Sequence, residues 1–164
     1  MTSSRNHPAT QGARVGQHPV EVSGTAVDLG PVRVFLVEDS PSVRDRLVDF
    51  LSVPDKVEIV GFAETEANAV AQLGKEPIDV AVVDINLREG TGFGVIEWIR
   101  TRRPFPPPTI VVLTNYAFPE FELACRQRGA DFFFDKVTQF GAVKDLLSTI
   151  VNQRAVAGAG TSSI

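Results

Sequence analysis

The chain has 164 residues, 43% of them hydrophobic and 22% charged, enough for one folded core, and no apolar run approaches the length of a membrane span. Sixteen basic against twenty acidic residues leave a formal charge of −4, which argues against a surface held by nucleic-acid phosphates. The single cysteine, Cys125, excludes an intramolecular disulfide, and the polar N-terminus lacks a secretory apolar stretch, so a cytoplasmic location is expected.

Residues 1–30 carry Pro8, Gly12, Gly16, Pro19, Gly24 and Gly30 among small polar residues and read as a flexible leader. His7 and His18 lie there without a third ligand nearby, so no metal role is read for them. The run VRVFLV (32–37) is β-branched and aromatic and predicts a first strand, stopping at Glu38-Asp39. Ser40-Pro41 then supplies a cap and a first-turn proline for a helix carrying Val43, Leu47, Phe50 and Leu51. VEIVGFA (57–63) is a second strand, and Thr65 caps a second helix with apolar positions Ala67, Val70, Ala71 and Leu73. IDVAVVD (78–84) is a third strand, followed by the loop NLREGTG and a third helix with VIEWIR as its body. PFPPP (104–108) enforces an extended connection into TIVVLT (109–114), the fourth strand. Pro119 to Arg128 is a fourth helix stopped by Gly129, DFFF (131–134) a fifth strand, and Thr138 the expected cap of a last helix through Val151. Residues 153–164 read as a flexible tail, which leaves 31–152 as the folded domain.

Strands and helices therefore alternate five times. Runs such as VAVV and TIVVL are apolar throughout, as strands covered on both faces must be. A parallel, doubly wound sheet follows, and ligands of such sheets bind at the carboxyl ends of the strands. Those ends carry Glu38-Asp39, Ala63-Glu64, Asp84, Thr114 and Asp135-Lys136. If the first and third strands are neighbours, Glu38, Asp39 and Asp84 converge. Each like-charge pair at ~4 Å costs about 4 kcal/mol at an effective dielectric of 20, so the group calls for cations. Lys136 supplies one charge, and a hard dication with oxygen ligands, Mg²⁺ above all, fits the rest.

This constellation resembles the response-regulator receiver domain of two-component signalling, over about residues 31–152. The matching motifs are VED after the first strand, VVDINL after the third, VLT after the fourth and FFFDK after the fifth. The resemblance implies a flavodoxin-like (βα)5 fold with five parallel strands in the order 2-1-3-4-5. It makes Asp84 the phosphoacceptor, and Glu38, Asp39, Asp84 and the Asn86 backbone carbonyl the Mg²⁺ ligands. It makes Thr114 and Lys136 the phosphate-binding pair, Phe133 the switch aromatic, and Asn86 and Tyr116 the residues tuning dephosphorylation. Three positions depart from the family pattern: Arg88-Glu89-Gly90 replaces a proline-containing loop, Val137 stands where proline is frequent, and Phe133 replaces tyrosine.

The implied protein is a single-domain response regulator that takes a phosphoryl group from a histidine kinase or phosphotransfer protein. It signals to a downstream protein target by phosphorylation-dependent contact, without nucleic acid or membrane insertion. The face of the fourth helix, fifth strand and fifth helix is the expected switch surface and the place for a homodimer. Such a protein is no enzyme beyond its own Mg²⁺-dependent phosphorylation and dephosphorylation. The main alternative is a receiver-like docking module that is never phosphorylated. A haloacid-dehalogenase-type phosphatase would want a second aspartate where Asn86 stands, and Gly90-Thr91-Gly92-Phe93-Gly94 has neither dinucleotide-binding spacing nor a P-loop lysine.

Overall fold

The structure, a computed structural model, describes residues 28–160. Most of the expected leader and the last four residues of the expected tail lie outside the described residues. The β-branched run VRVFLV forms β1 (Val32–Val37), and after it come α1 (Pro41–Leu51), β2 (Val57–Ala63), α2 (Glu66–Leu73) and β3 (Val80–Val83). The chain continues through α3 (Gly92–Thr101), β4 (Thr109–Thr114), α4 (Pro119–Arg128), β5 (Phe132–Asp135) and α5 (Phe140–Ala159). All strand pairs are parallel, in the order β2-β1-β3-β4-β5.

Alternate residues of each central strand feed two separate cores, the period-2 consequence of the pleat. Phe35, Val37, Ala81, Val83, Ile110 and Val112 pack with Ala69 and Leu73 of α2, Val95, Ile96 and Ile99 of α3 and Cys125 of α4. Val34, Leu36, Val80, Val82, Val111 and Leu113 pack with Leu47 and Leu51 of α1 and Val143 and Leu147 of α5. Three helices thus cover one face and two the other. Burial pushes the Cys125 thiol up to about 11, so it is a neutral apolar filler.

Local caps set where the helices begin. Ser40, Thr65 and Thr91 each accept a backbone N–H three residues on, and Pro41 occupies the first turn of α1. Gly129 ends α4 with φ 107°, a left-handed conformation that glycine adopts without steric cost.

Several expected boundaries shift. β3 is confined to Val80–Val83. Asp79 and Asp84, at its flanks, still donate their N–H groups to Arg33 O and Val37 O. β5 starts one residue later than DFFF, because the Asp131 side chain accepts from Ile110 N–H at 2.8 Å. In α2 the buried residues are Ala69 and Leu73, while Ala67 and Ala71 face solvent. Gln139, not Thr138, precedes α5. That helix continues to Ala159, past its expected last residue Val151 and the expected domain end at 152, with Arg154 ion-paired to Asp79. Phe132 is 37% exposed and stacks on Phe134 at a centroid distance of 6.2 Å.

Candidate functional site

Parallel register brings the ends of β1, β3, β4 and β5 to one edge. Val37 pairs with Val83, so the next residues, Glu38 and Asp84, emerge side by side. Thr114 pairs with Asp135, and Lys136 N–H donates to Thr114 O at 2.8 Å, which fixes the root of the lysine beside β4. Its side chain reaches back across the sheet. Lys136 Nζ lies 2.7 Å from Glu38 Oε2 and 2.8 Å from Asp84 Oδ2, and all three side chains are at least nine-tenths buried.

The remaining carboxylate oxygens are also oriented. Ser40 N–H donates to Glu38 Oε1 at 3.0 Å, and Asn86 N–H donates to Asp84 Oδ1 at 3.2 Å. Asp39 has no hydrogen-bond or ion-pair partner among the described residues. One oxygen from each of Glu38, Asp39 and Asp84 lies within 4.8 Å of the others. Three carboxylates against one ammonium leave two negative charges unmatched when all are ionised, the charge of one hard dication. The donor set therefore suits Mg²⁺: oxygens only, with the half-buried Asp39 carboxylate unpartnered.

Burial raises the Glu38 carboxyl, and the hydrogen bond and charge of Lys136 offset this only in part. Burial pulls the Lys136 ammonium down, but the bonds and charges of Asp84 and Glu38 outweigh it and leave the lysine raised. A buried cation between two acids stays charged.

Of the other expected residues, Thr114 is fully buried, with Oγ1 accepting from Tyr116 N–H at 3.2 Å. Tyr116 is 44% exposed after β4, and Asn86 is exposed on the loop after β3. Phe133 is half-buried against the core under α2, α3 and α4. Glu64, at the end of β2, does not join the acid group. Arg44 Nη1 lies 2.9 Å from Glu64 Oε1 and Arg88 Nη1 3.2 Å from Oε2, and the Arg44 guanidinium also covers the Phe62 ring. Sequence reasoning missed this bridge, although Glu64 stood at a strand end and Arg88 in an atypical loop. The loop after β5 is held by Asp135, whose Oδ1 accepts from Val137 N–H and Thr138 N–H.

A family model for the response regulator receiver domain matches residues 34–148. The DNA-binding transcriptional activator DevR/DosR of Mycobacterium tuberculosis is 34% identical over 105 residues, 64% of this chain and 48% of its own length. The response regulator protein PilR of Pseudomonas aeruginosa is 25% identical over 122 residues, 74% of this chain and 26% of its own. The chain thus spans half or less of the length of these relatives. The signal receiver domain of NarL from Mycobacterium tuberculosis superposes with a TM-score of 0.66 at 24% identity, covering 74% of this chain and 97% of that one. A CheY-like receiver from Methanospirillum hungatei JF-1 gives 0.64 at 22% identity, over 76% of this chain and 96% of that one. These last two likenesses speak for the shared fold. Taken with the match over 34–148, the parallel sheet and its order mark a flavodoxin-like protein, and the chain belongs to the response regulator receiver domain family.

Proposed function

We propose that Asp84 accepts a phosphoryl group from the phosphohistidine of a histidine kinase or phosphotransfer protein, and that the acyl phosphate controls contact with a downstream protein. The observation that carries this reading is Lys136 Nζ bridging Glu38 and Asp84, beside the unpartnered Asp39 carboxylate. Glu38, Asp39, Asp84 and the Asn86 carbonyl would hold Mg²⁺, which neutralises phosphoryl oxygens as they approach the carboxylates.

Asp84 Oδ is the nucleophile. Its bond to phosphorus forms as the phosphorus–nitrogen bond of the donor imidazole breaks, and the imidazole leaves with the electron pair and takes a proton from solvent. Little covalent work is asked of the protein beyond placement and charge. Lys136 Nζ lies against Asp84 and can turn one of its hydrogen bonds to a phosphoryl oxygen. Thr114 Oγ1 accepts from Tyr116 N–H, so its own proton is available for a second oxygen. A move of Thr114 toward the phosphoryl group opens space for the Phe133 ring, which is half-buried and so has a second place to go. Asn86 and Tyr116, both exposed at the mouth, govern water entry and hence acyl-phosphate lifetime. The chain would work in the cytoplasm, and among its described residues no helix is long and apolar enough to cross a membrane.

The test is incubation with acetyl phosphate and Mg²⁺, followed by intact mass. A gain of about 80 Da, one phosphoryl group, that vanishes in Asp84→Asn supports the reading. No gain in the wild type overturns it in favour of a docking module that is never phosphorylated.

A further inference from the structure

The loop from Ile85 to Thr91 carries the acceptor's neighbours, and most of it lies exposed. Only Ile85 and Leu87 are buried; Asn86, Arg88, Glu89, Gly90 and Thr91 are exposed, and no proline stiffens it. The turn Glu64-Thr65-Glu66, between β2 and α2, grips this loop at three successive points. Glu64 Oε2 lies 3.2 Å from Arg88 Nη1. Glu66 N–H donates to Glu89 O at 3.0 Å. Glu66 Oε2 accepts from Thr91 N–H at 2.8 Å.

The seat of Glu66 is built by glycines. A Cβ at Gly90 or at Gly94 would overlap the Glu66 side chain, and Gly90 also has φ 75°, so both positions leave room that the carboxylate occupies. The carboxylate sits at the N-terminal turn of α2 and against that of α3, where two helix dipoles favour a negative charge. From Thr91 the contact runs on toward the site. Thr91 forms an antiparallel bridge with Asn86, and Gly92 N–H donates to Ile85 O at 2.8 Å. Asn86 N–H in turn donates to Asp84 Oδ1.

We infer that Glu66 is a positioning residue for the metal site: seated between Gly90 and Gly94, it holds Thr91 and through it the backbone of Asn86, whose N–H bonds Asp84 and whose carbonyl would be a ligand of the dication. The inference rests on the proposed reading of Glu38, Asp39, Asp84 and Asn86 as the Mg²⁺ site. Glu66 touches neither metal nor phosphoryl group. It acts by keeping a carbonyl ligand in place, as outer partners of metal ligands do.

The experiment is calorimetric titration of the full chain with Mg²⁺, alongside thermal unfolding in chelator. Loss of an outer partner costs metal affinity roughly tenfold at the low end, so Glu66→Ala is expected to bind Mg²⁺ about tenfold more weakly, and Glu66→Gln, which keeps an acceptor for Thr91 N–H, within about twofold of wild type. Glu97→Ala, which lines the same α2–α3 groove without gripping the loop, is expected to bind normally. Gly94→Ala displaces the Glu66 carboxylate without removing it and is expected to weaken binding in the same direction, which covers the case of a Glu66→Ala chain that does not fold. Wild-type affinity in both Glu66→Ala and Gly94→Ala, with only a lowered melting temperature, overturns the inference. So does a Glu66→Gln chain as weak as Glu66→Ala, or an equal loss in Glu97→Ala. A wild-type chain that binds no Mg²⁺ overturns the proposed site as well, whereas normal wild-type binding with unchanged variants removes only the role of Glu66.

Discussion

Two buried cations stand at opposite ends of the sheet. At the carboxyl end, Lys136 is gripped by two carboxylates that arrive from 98 and 52 residues away. At the amino end, Arg103 is 8% exposed and bonds only main-chain carbonyls: Leu73 O at the end of α2, Pro106 O and Glu76 O. Its guanidinium also lies over the Phe105 ring. Burial lowers the Arg103 pKa with no anion to oppose it, whereas two acids raise that of Lys136 against the same burial. The difference separates a fastener from a site. Carbonyl dipoles satisfy a guanidinium and hold a loop, and the account closes there. Carboxylates crowded around an ammonium leave charge unmatched, and that surplus can recruit a dication and a phosphoryl group.

Removing each cation breaks the comparison at one end. Lys136→Met leaves Glu38 and Asp84 buried without a cation, and breaking a buried pair costs about 3 kcal/mol or more. Urea unfolding at neutral pH without Mg²⁺ is expected to show that loss, and millimolar Mg²⁺ to recover much of it. Equal stability with and without the ion would mean the acids do not share a cation site. Arg103→Met strands three carbonyls and is expected to cost about 2 kcal/mol by the same measurement, from lost bonds to buried acceptors. Here Mg²⁺ should make no difference, and a Mg²⁺-dependent rescue would erase the distinction between the two ends.

The smallest effect concerns Cys125, a buried titratable group whose thiol has no hydrogen-bond partner among the described residues. Its thiol is raised from 9.0 to about 11, chiefly by burial, so between those values the unfolded chain loses a proton that the folded chain keeps. Stability therefore falls as pH rises through that window. Cys125→Ala is expected to flatten this fall in denaturant curves collected across the window. An unchanged slope would show that the thiol is solvated.

Much of this was legible in the residues. Every strand and helix was signalled, among other cues by β-branched runs, by Ser40 and Thr65 as caps, and by Gly129 as a stop. Acids, hydroxyl and lysine could be placed at strand ends because in a parallel sheet all strand ends share one edge. What escaped were contacts between elements distant in sequence. Nothing local marks Glu64 as a bridge between Arg44 and Arg88, or Arg103 as a fastener of the connection before β4. Nor does the apolar run FFF tell that Phe132, on a strand at the edge of the sheet, lies exposed.

The order of residue types along the chain determined the alternation of strand and helix, the parallel sheet and the chemical content of its carboxyl edge, since propensity, capping and apolar runs are local properties. Only the tertiary structure decided that Lys136 bridges Glu38 and Asp84 while Asp39 stands free, that α5 runs on to Ala159, and that Glu66 seats between two glycines. Those facts depend on strand register and on the space left between packed helices, which no short stretch of chain encodes by itself.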